Sequence, residues 1–138
     1  MNLDADLIKD FVAEIQQLEQ ELKQIVEGLE KDNNQPALFA SFGQVIDRIY
    51  GTAATFGMKE FAAYCGMLKK TNYDCSKSTN KWGQQKVISL QKKCMENIDS
   101  LIKGIHNPEV MKKINHSLHL EIQKANKLHE EIFQFNKK

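Results

Sequence analysis

The sequence lacks several features that define familiar classes of protein. With only two prolines and 41% hydrophobic residues it is not expected to be disordered, and segments that favour β-strands are nearly absent. No apolar run approaches the roughly 20 residues that a membrane-spanning helix needs, and the opening Met-Asn-Leu-Asp-Ala-Asp does not resemble a signal peptide. The cysteines are an odd number at unrelated spacings: Cys65, Cys75 and Cys94. This pattern favours a reducing cytoplasm over a disulfide scaffold.

Motifs for catalysis are lacking as well. The chain has no Gly-rich phosphate loop, no Ser/His/Asp arrangement and no Walker-type segment. His116 and His119 have a spacing that could hold a metal, but no third ligand is apparent in the sequence. We therefore predict no enzymatic activity, no metal and no cofactor, and ordinary exposed histidines at these two positions.

Neither sign of charge is in large excess over the whole chain. The formal net charge is +1, which argues against nucleic acid as an obligatory partner. The distribution is uneven, because residues 1–32 hold nine acidic and three basic residues, whereas the remainder holds nine acidic and sixteen basic residues. This asymmetry favours attraction between the helices of one bundle. We predict neither a nucleic-acid nor a membrane partner.

The sequence does contain amphipathic segments with helical spacing along its whole length. The expected helices run from about Asp4 to Lys31, from Pro36 to about Thr55, from Met58 to about Lys70, from Lys81 to about Ile105 and over 107–136. Two of them begin with a polar residue and a proline in the first turn, and Gly57 allows the chain to change direction. We predict one all-α domain over 1–138. Residues 4–105 form an up-down four-helix bundle, and 107–136 add a C-terminal fifth helix.

Three side chains test this assignment. The segment from Thr71 to Asn80 is the longest predicted loop and is too polar to pack, so Cys75 within it is expected to be the most exposed thiol. Trp82, near a helix start, is expected to be a core or boundary aromatic. His129 falls on the apolar stripe of the last helix and is expected to be a packed or boundary residue.

The second predicted helix has an apolar face and an unusually small opposite face. The small face consists of Ala40, Gln44, Asp47, Gly51 and Ala54. Glycine in the middle of a helix costs roughly 1 kcal/mol relative to alanine, and close approach of another surface is one reason to retain it. That surface is either a partner protein or the last helix of this chain.

The same stretch resembles a known family. Asp47-Arg-Ile-Tyr-Gly-Thr-Ala-Ala-Thr-Phe-Gly57 is similar to the His-x-x-Lys-Gly-x-Ala-x-x-x-Gly motif of histidine-containing phosphotransfer domains, especially those of chemotaxis histidine kinases. The glycines and the alanine fit, whereas Asp47 replaces the phosphorylatable histidine and Tyr50 replaces the lysine. The resemblance implies a bundle on whose small face a receiver domain docks. The two replacements imply that the scaffold has lost its phosphotransfer chemistry.

We therefore predict a non-catalytic signalling module that binds a response-regulator receiver domain or a histidine kinase. The docking residues are predicted to be Ala40, Gln44, Asp47, Arg48, Tyr50, Gly51 and Ala54. Arg48 points about 100° away from Asp47 around the helix, and it contributes to the edge of the surface rather than replacing the missing lysine. One alternative is a structural helical adaptor or oligomerisation module, as a monomer or a homodimer. A weaker alternative is active phosphotransfer through His116 or His119.

Overall fold

A computed structural model describes the backbone of residues 5–136 and the side chains of residues 5–131. Its five helices are α1 (Ala5–Lys31), α2 (Pro36–Thr55), α3 (Lys59–Cys75), α4 (Lys81–Gly104) and α5 (Pro108–Asn136). The described residues contain no strand, so the all-α class is confirmed. None of these helices is long and apolar enough to cross a membrane. Asp4, the predicted start of the first helix, lies outside the described residues.

Local sequence explains where the helices begin and end. Pro36 occupies the first turn of α2, where a missing backbone N–H has no cost, and the Gln35 side chain donates to the carbonyl oxygens of Gly28 (2.9 Å) and Asp32 (2.6 Å). After α2 the chain turns at Gly57, whose φ of 74° suits a residue without Cβ. Asn80 caps α4 by accepting a hydrogen bond from the Gly83 N–H at 3.0 Å.

The helices enclose one main core. α1 and α3 each pack against both α2 and α4, and within the described residues α5 packs against α3 and α4 but not against α2. The largest fully buried side chains of this core come from all four of the first helices: Phe11, Ile15, Leu22, Phe42, Ile46, Ile49, Phe61, Tyr64, Leu68 and Ile98. The outward side of α2 is consequently left without a helix over it.

The third helix is longer than the sequence suggested: the connection to α4 covers 76–80, so the predicted start of the loop at Thr71 is wrong and its predicted end at Asn80 is confirmed. Polar residues extend α3 to Cys75 because their side chains find partners inside the bundle. The Asn72 amide donates to the Leu68 carbonyl oxygen at 2.8 Å and accepts from the Gln91 side chain of α4 at 2.7 Å. Cys75 is fully buried against Val87 and its neighbours, so the prediction of an exposed thiol is wrong.

The predictions for Trp82 and for the histidines have different outcomes. Trp82 does not join the core: 50% of its surface is exposed, and the Lys86 ammonium lies 5.6 Å from the ring centroid. His129 is a boundary residue as expected, mostly covered and in contact with the Asp74 carboxylate of α3. His116 and His119 are exposed, as predicted.

One carboxyl group lies inside the bundle. Glu19 of α1 is only 4% exposed, and its side chain is hydrogen-bonded to Asp99 of α4. Burial, followed by the hydrogen bond and the negative charge of Asp99, raises the pKa of Glu19 to about 7, although Lys23 opposes the change. The Glu19 Oε2 atom has no hydrogen-bond partner among the described residues. The seam between α1 and α4 therefore contains a carboxyl group that holds its proton to a higher pH than an exposed glutamate does.

Candidate docking surface on the second helix

The small face of α2 is open to solvent. Asp47, Gly51 and Ala54 are exposed, and Tyr50 retains 42% of its surface. A Cβ atom placed on Gly51 would meet no heavy atom within 4 Å. The alternative in which the last helix covers this face is wrong, because within the described residues α5 packs against α3 and α4 and makes no contact with α2.

The predicted docking residues do not form one flat patch. Arg48 and Gln44 face α1, where the Arg48 guanidinium pairs with the Glu21 carboxylate at 3.2 Å. Gly51 and Ala54 lie on the exposed ridge of α2, and Ala40 is half-buried near the start of the helix. Asp47 and Tyr50 face α3. The ridge therefore separates a side toward α1 from a side toward α3.

The side toward α3 is a groove with defined walls. This α2/α3 groove has a volume of about 540 Å³ and is lined by Asp47, Tyr50, Gly66, Lys69, Lys70, Tyr73 and Asp74. Tyr50 of α2 packs on Gly66 of α3, with a ring carbon 3.5 Å from where a Cβ would lie. Tyr73 of α3 packs more tightly on Gly43 of α2, where the corresponding distance is 2.9 Å. Each tyrosine ring thus rests on a glycine of the opposite helix.

An ion pair lies between the two tyrosines. The Lys69 ammonium contacts the Asp47 carboxylate at 2.9 Å, and both side chains are partly exposed. The hydrogen bond to Asp47 and its negative charge raise the pKa of Lys69, and the nearby phenols of Tyr73 and Tyr50 act in the same direction. One oxygen of the Asp74 carboxylate contacts a ring nitrogen of His129 of α5.

Sequence reasoning missed the α3 half of this groove. Lys69, Lys70 and Tyr73 were not predicted as site residues, because the sequence did not show that α3 pairs with the small face of α2; Tyr73 also lay beyond the predicted end of α3 at about Lys70. A signal was present: Gly43, Asp47 and Tyr50 recur at helical spacing on α2, and Gly66, Lys69 and Tyr73 do so on α3. Only the antiparallel pairing of the two helices brings these sets together.

The potentially reactive side chains of the described residues are found in different environments. Asp47 is held by a lysine, and the described residues contain no group of three or more His, Cys, Asp or Glu that could hold a metal. All three cysteines are buried, and burial raises the pKa of each thiol. His119 is exposed, with one ring nitrogen 3.3 Å from the Gln123 amide nitrogen, and phosphotransfer through it or His116 stays a prediction.

No match to this chain is found among family models, curated proteins or solved structures. A functional proposal for this chain rests on the sequence motif around Gly51 and on the geometry of the exposed α2 surface.

Proposed function

We propose that this chain is a non-catalytic signalling module, a degenerate phosphotransfer-like domain of the cytoplasm. Its α2 surface binds a receiver domain or a histidine kinase without carrying a phosphoryl group, and its first four helices have the up-down order of such domains. The observation that carries the proposal is the open space above Gly51. The motif resemblance places partner docking at this same point of the second helix.

The presence of glycine at position 51 supports contact with an external partner protein. Gly51 lies within α2, where glycine costs roughly 1 kcal/mol relative to alanine. No side chain of the described residues occupies the space that its missing Cβ leaves, so packing inside this chain gives no reason for the residue. Close approach of a second protein along the ridge of Gly51 and Ala54 gives one.

The residues at the two replaced motif positions suit contact rather than chemistry. Asp47 has no neutral ring nitrogen to act as a nucleophile, and its oxygen is engaged by Lys69. Tyr50 is a partly exposed aromatic residue beside the ridge, and tyrosine is enriched among residues that dominate binding energy at interfaces. The surface can therefore bind a receiver or kinase while leaving its phosphoryl group untouched.

Binding measurements with a matched pair of variants test this proposal. Ala54→Arg places a long charged side chain on the exposed ridge of α2, and Ser117→Arg does the same on the exposed side of α5. Each receiver domain and histidine kinase of the source genome would be titrated against the wild-type chain and both variants by calorimetry. We expect one of them to bind, Ala54→Arg to weaken that binding at least about tenfold and Ser117→Arg to leave it unchanged.

Three results would contradict the proposal. The first is the absence of binding to any receiver or kinase. The second is equal binding by Ala54→Arg and the wild-type chain. The third is transfer of labelled phosphate from a phosphodonor to the chain in an acid-labile form, which would instead support phosphotransfer through His116 or His119. Sedimentation of the same samples completes the design, because a dimer that persists in Ala54→Arg would favour the helical adaptor.

A further inference from the structure

We propose that the α2/α3 groove binds a short acidic segment of the partner protein, whose carboxylates take the place of Asp47 at Lys69. This inference rests on the proposed docking function and specifies the chemistry that the partner presents. The groove adjoins the ridge of Gly51 and Ala54 through Asp47 and Tyr50, which belong to both surfaces. A partner lying on the ridge therefore reaches the groove without any movement of the helices.

Both helices contribute hydrogen-bond donors to the groove. Lys69 and Lys70 contribute ammonium groups, and Tyr50 and Tyr73 contribute phenolic hydroxyls. Within the described part of the chain, Lys70 has no ion-pair partner and neither phenolic oxygen has a hydrogen-bond partner. The lining also holds two carboxylates, equal in number to its lysines: one oxygen of Asp47 accepts from Lys69, and one oxygen of Asp74 contacts a ring nitrogen of His129. A carboxylate ligand can pair with Lys70, accept hydrogen bonds from the two phenols and compete with Asp47 for Lys69.

Asp47 already shows where such a carboxylate would bind. Its oxygen lies 2.9 Å from the Lys69 ammonium, and the exposed side-chain fractions of the two residues are 48% and 40%. Ion pairs this exposed contribute little to stability because water screens both charges. Asp47 is therefore an internal occupant that an external carboxylate can displace at small cost. Its removal should strengthen rather than weaken binding of an acidic ligand.

The dimensions of the groove limit the segment to a few residues. Gly43 and Tyr50 are seven residues apart on α2, which corresponds to about 10 Å along a helix axis. About three residues of extended chain span that distance. The tyrosine rings are supported from below by Gly43 and Gly66, so the walls are formed before a ligand arrives.

A pair of peptides provides the direct test. The full chain, labelled with nitrogen-15, would be titrated with acetyl-Gly-Glu-Glu-Glu-Gly amide and with the matching Gln peptide while amide shifts are followed by NMR. We expect the acidic peptide to shift the amides of Gly66, Lys69 and Tyr73, and the Gln peptide to leave them unchanged. Asp47→Asn should tighten binding about two- to fivefold and Lys70→Gln should weaken it by a similar factor. Lys113→Gln, which removes the same charge from the exposed side of α5, is the control.

The inference is overturned if the Gln peptide binds equally well, if the shifts map to another surface, or if Asp47→Asn fails to tighten binding. Inorganic phosphate, titrated in parallel, also overturns it if phosphate alone reproduces the shifts at lower concentration.

Failure of the proposed docking function would give a different set of results. If the acidic peptide behaves as expected while no receiver or kinase binds, the groove chemistry stands and the partner belongs to another class. If a receiver binds with an affinity that Asp47→Asn and Lys70→Gln leave unchanged, docking stands and the groove inference falls.

Discussion

Replacement of the buried carboxyl group by its neutral isostere, Glu19→Gln, should remove a pH dependence from the stability of the bundle. Glu19 ionises near pH 4.5 in an unfolded chain and near pH 7 in the folded one. Between these values the folded state binds more protons than the unfolded state. The free energy of unfolding therefore falls as the pH rises from 4.5 to 7 and stays low above 7.

The size of this loss follows from the change in pKa. A rise from 4.5 to about 7 corresponds to about 3 kcal/mol at pH 8. Asp99 is exposed, so solvent screens part of its effect on Glu19 and reduces the loss. We expect a net effect of about 2 kcal/mol. An amide at position 19 resembles the protonated acid, keeps a donor for the Asp99 carboxylate and cannot ionise.

Urea unfolding followed by far-ultraviolet circular dichroism, at fixed ionic strength between pH 4.5 and 8, measures the effect. At the acid end the two proteins should have similar stability, and at pH 8 Glu19→Gln should be more stable by about 2 kcal/mol. Glu27→Gln, which removes the same charge from the exposed side of α1, should follow the wild-type profile. Parallel profiles for Glu19→Gln and the wild-type chain would refute the reasoning, as would a less stable Glu19→Gln protein at pH 8.

Two further predictions concern side-chain space and burial. Gly51→Ala should raise the free energy of unfolding by about 1 kcal/mol, because the new methyl group enters open space. Gly43→Ala should be about 1–2 kcal/mol less stable than Gly51→Ala, because its methyl group meets the Tyr73 ring. Urea midpoints compare the two, and equal midpoints would contradict the observed packing. The thiols of Cys65, Cys75 and Cys94 are all buried, so each should react with Ellman's reagent only as fast as the protein unfolds. A rapid phase of the reaction in the native protein would show that at least one thiol is accessible.

The sequence predicted best where a local signal marks a boundary. Pro36 and Gly57 bracket α2, and the predicted bounds agree with the structure to within a residue. Prediction failed at Asn72, whose polarity suggested a loop. Its amide is satisfied by a backbone carbonyl one turn earlier and by Gln91, a partner 19 residues away. Local propensity contains no information about that second bond.

The α2/α3 groove shows that prediction of a functional surface from sequence has the same limit. The exposed small face of α2 could be read from helical periodicity, and Asp47 and Tyr50 were identified with it. Lys69 and Tyr73 were not, because the pairing of α2 with α3 depends on how both helices fit the core. Periodicity gives the residues on one face of a helix, and it does not give the register between two helices. A functional surface shared by two helices therefore appears only in three dimensions.

The glycine and tyrosine pairs bear on the chain direction of a segment bound in the α2/α3 groove. An approximate local two-fold axis perpendicular to α2 and α3 relates Gly43 to Gly66 and Tyr50 to Tyr73, since glycine and tyrosine are seven residues apart on both helices. The two walls of the groove therefore carry the same kind of contact, tighter at Gly43 (2.9 Å) than at Gly66 (3.5 Å). The charges break this symmetry, because Lys69, Lys70 and Asp74 all belong to α3, whereas α2 contributes Asp47 as its charged lining residue. Shape thus accepts a bound segment in either chain direction, and the placement of charge alone selects one polarity.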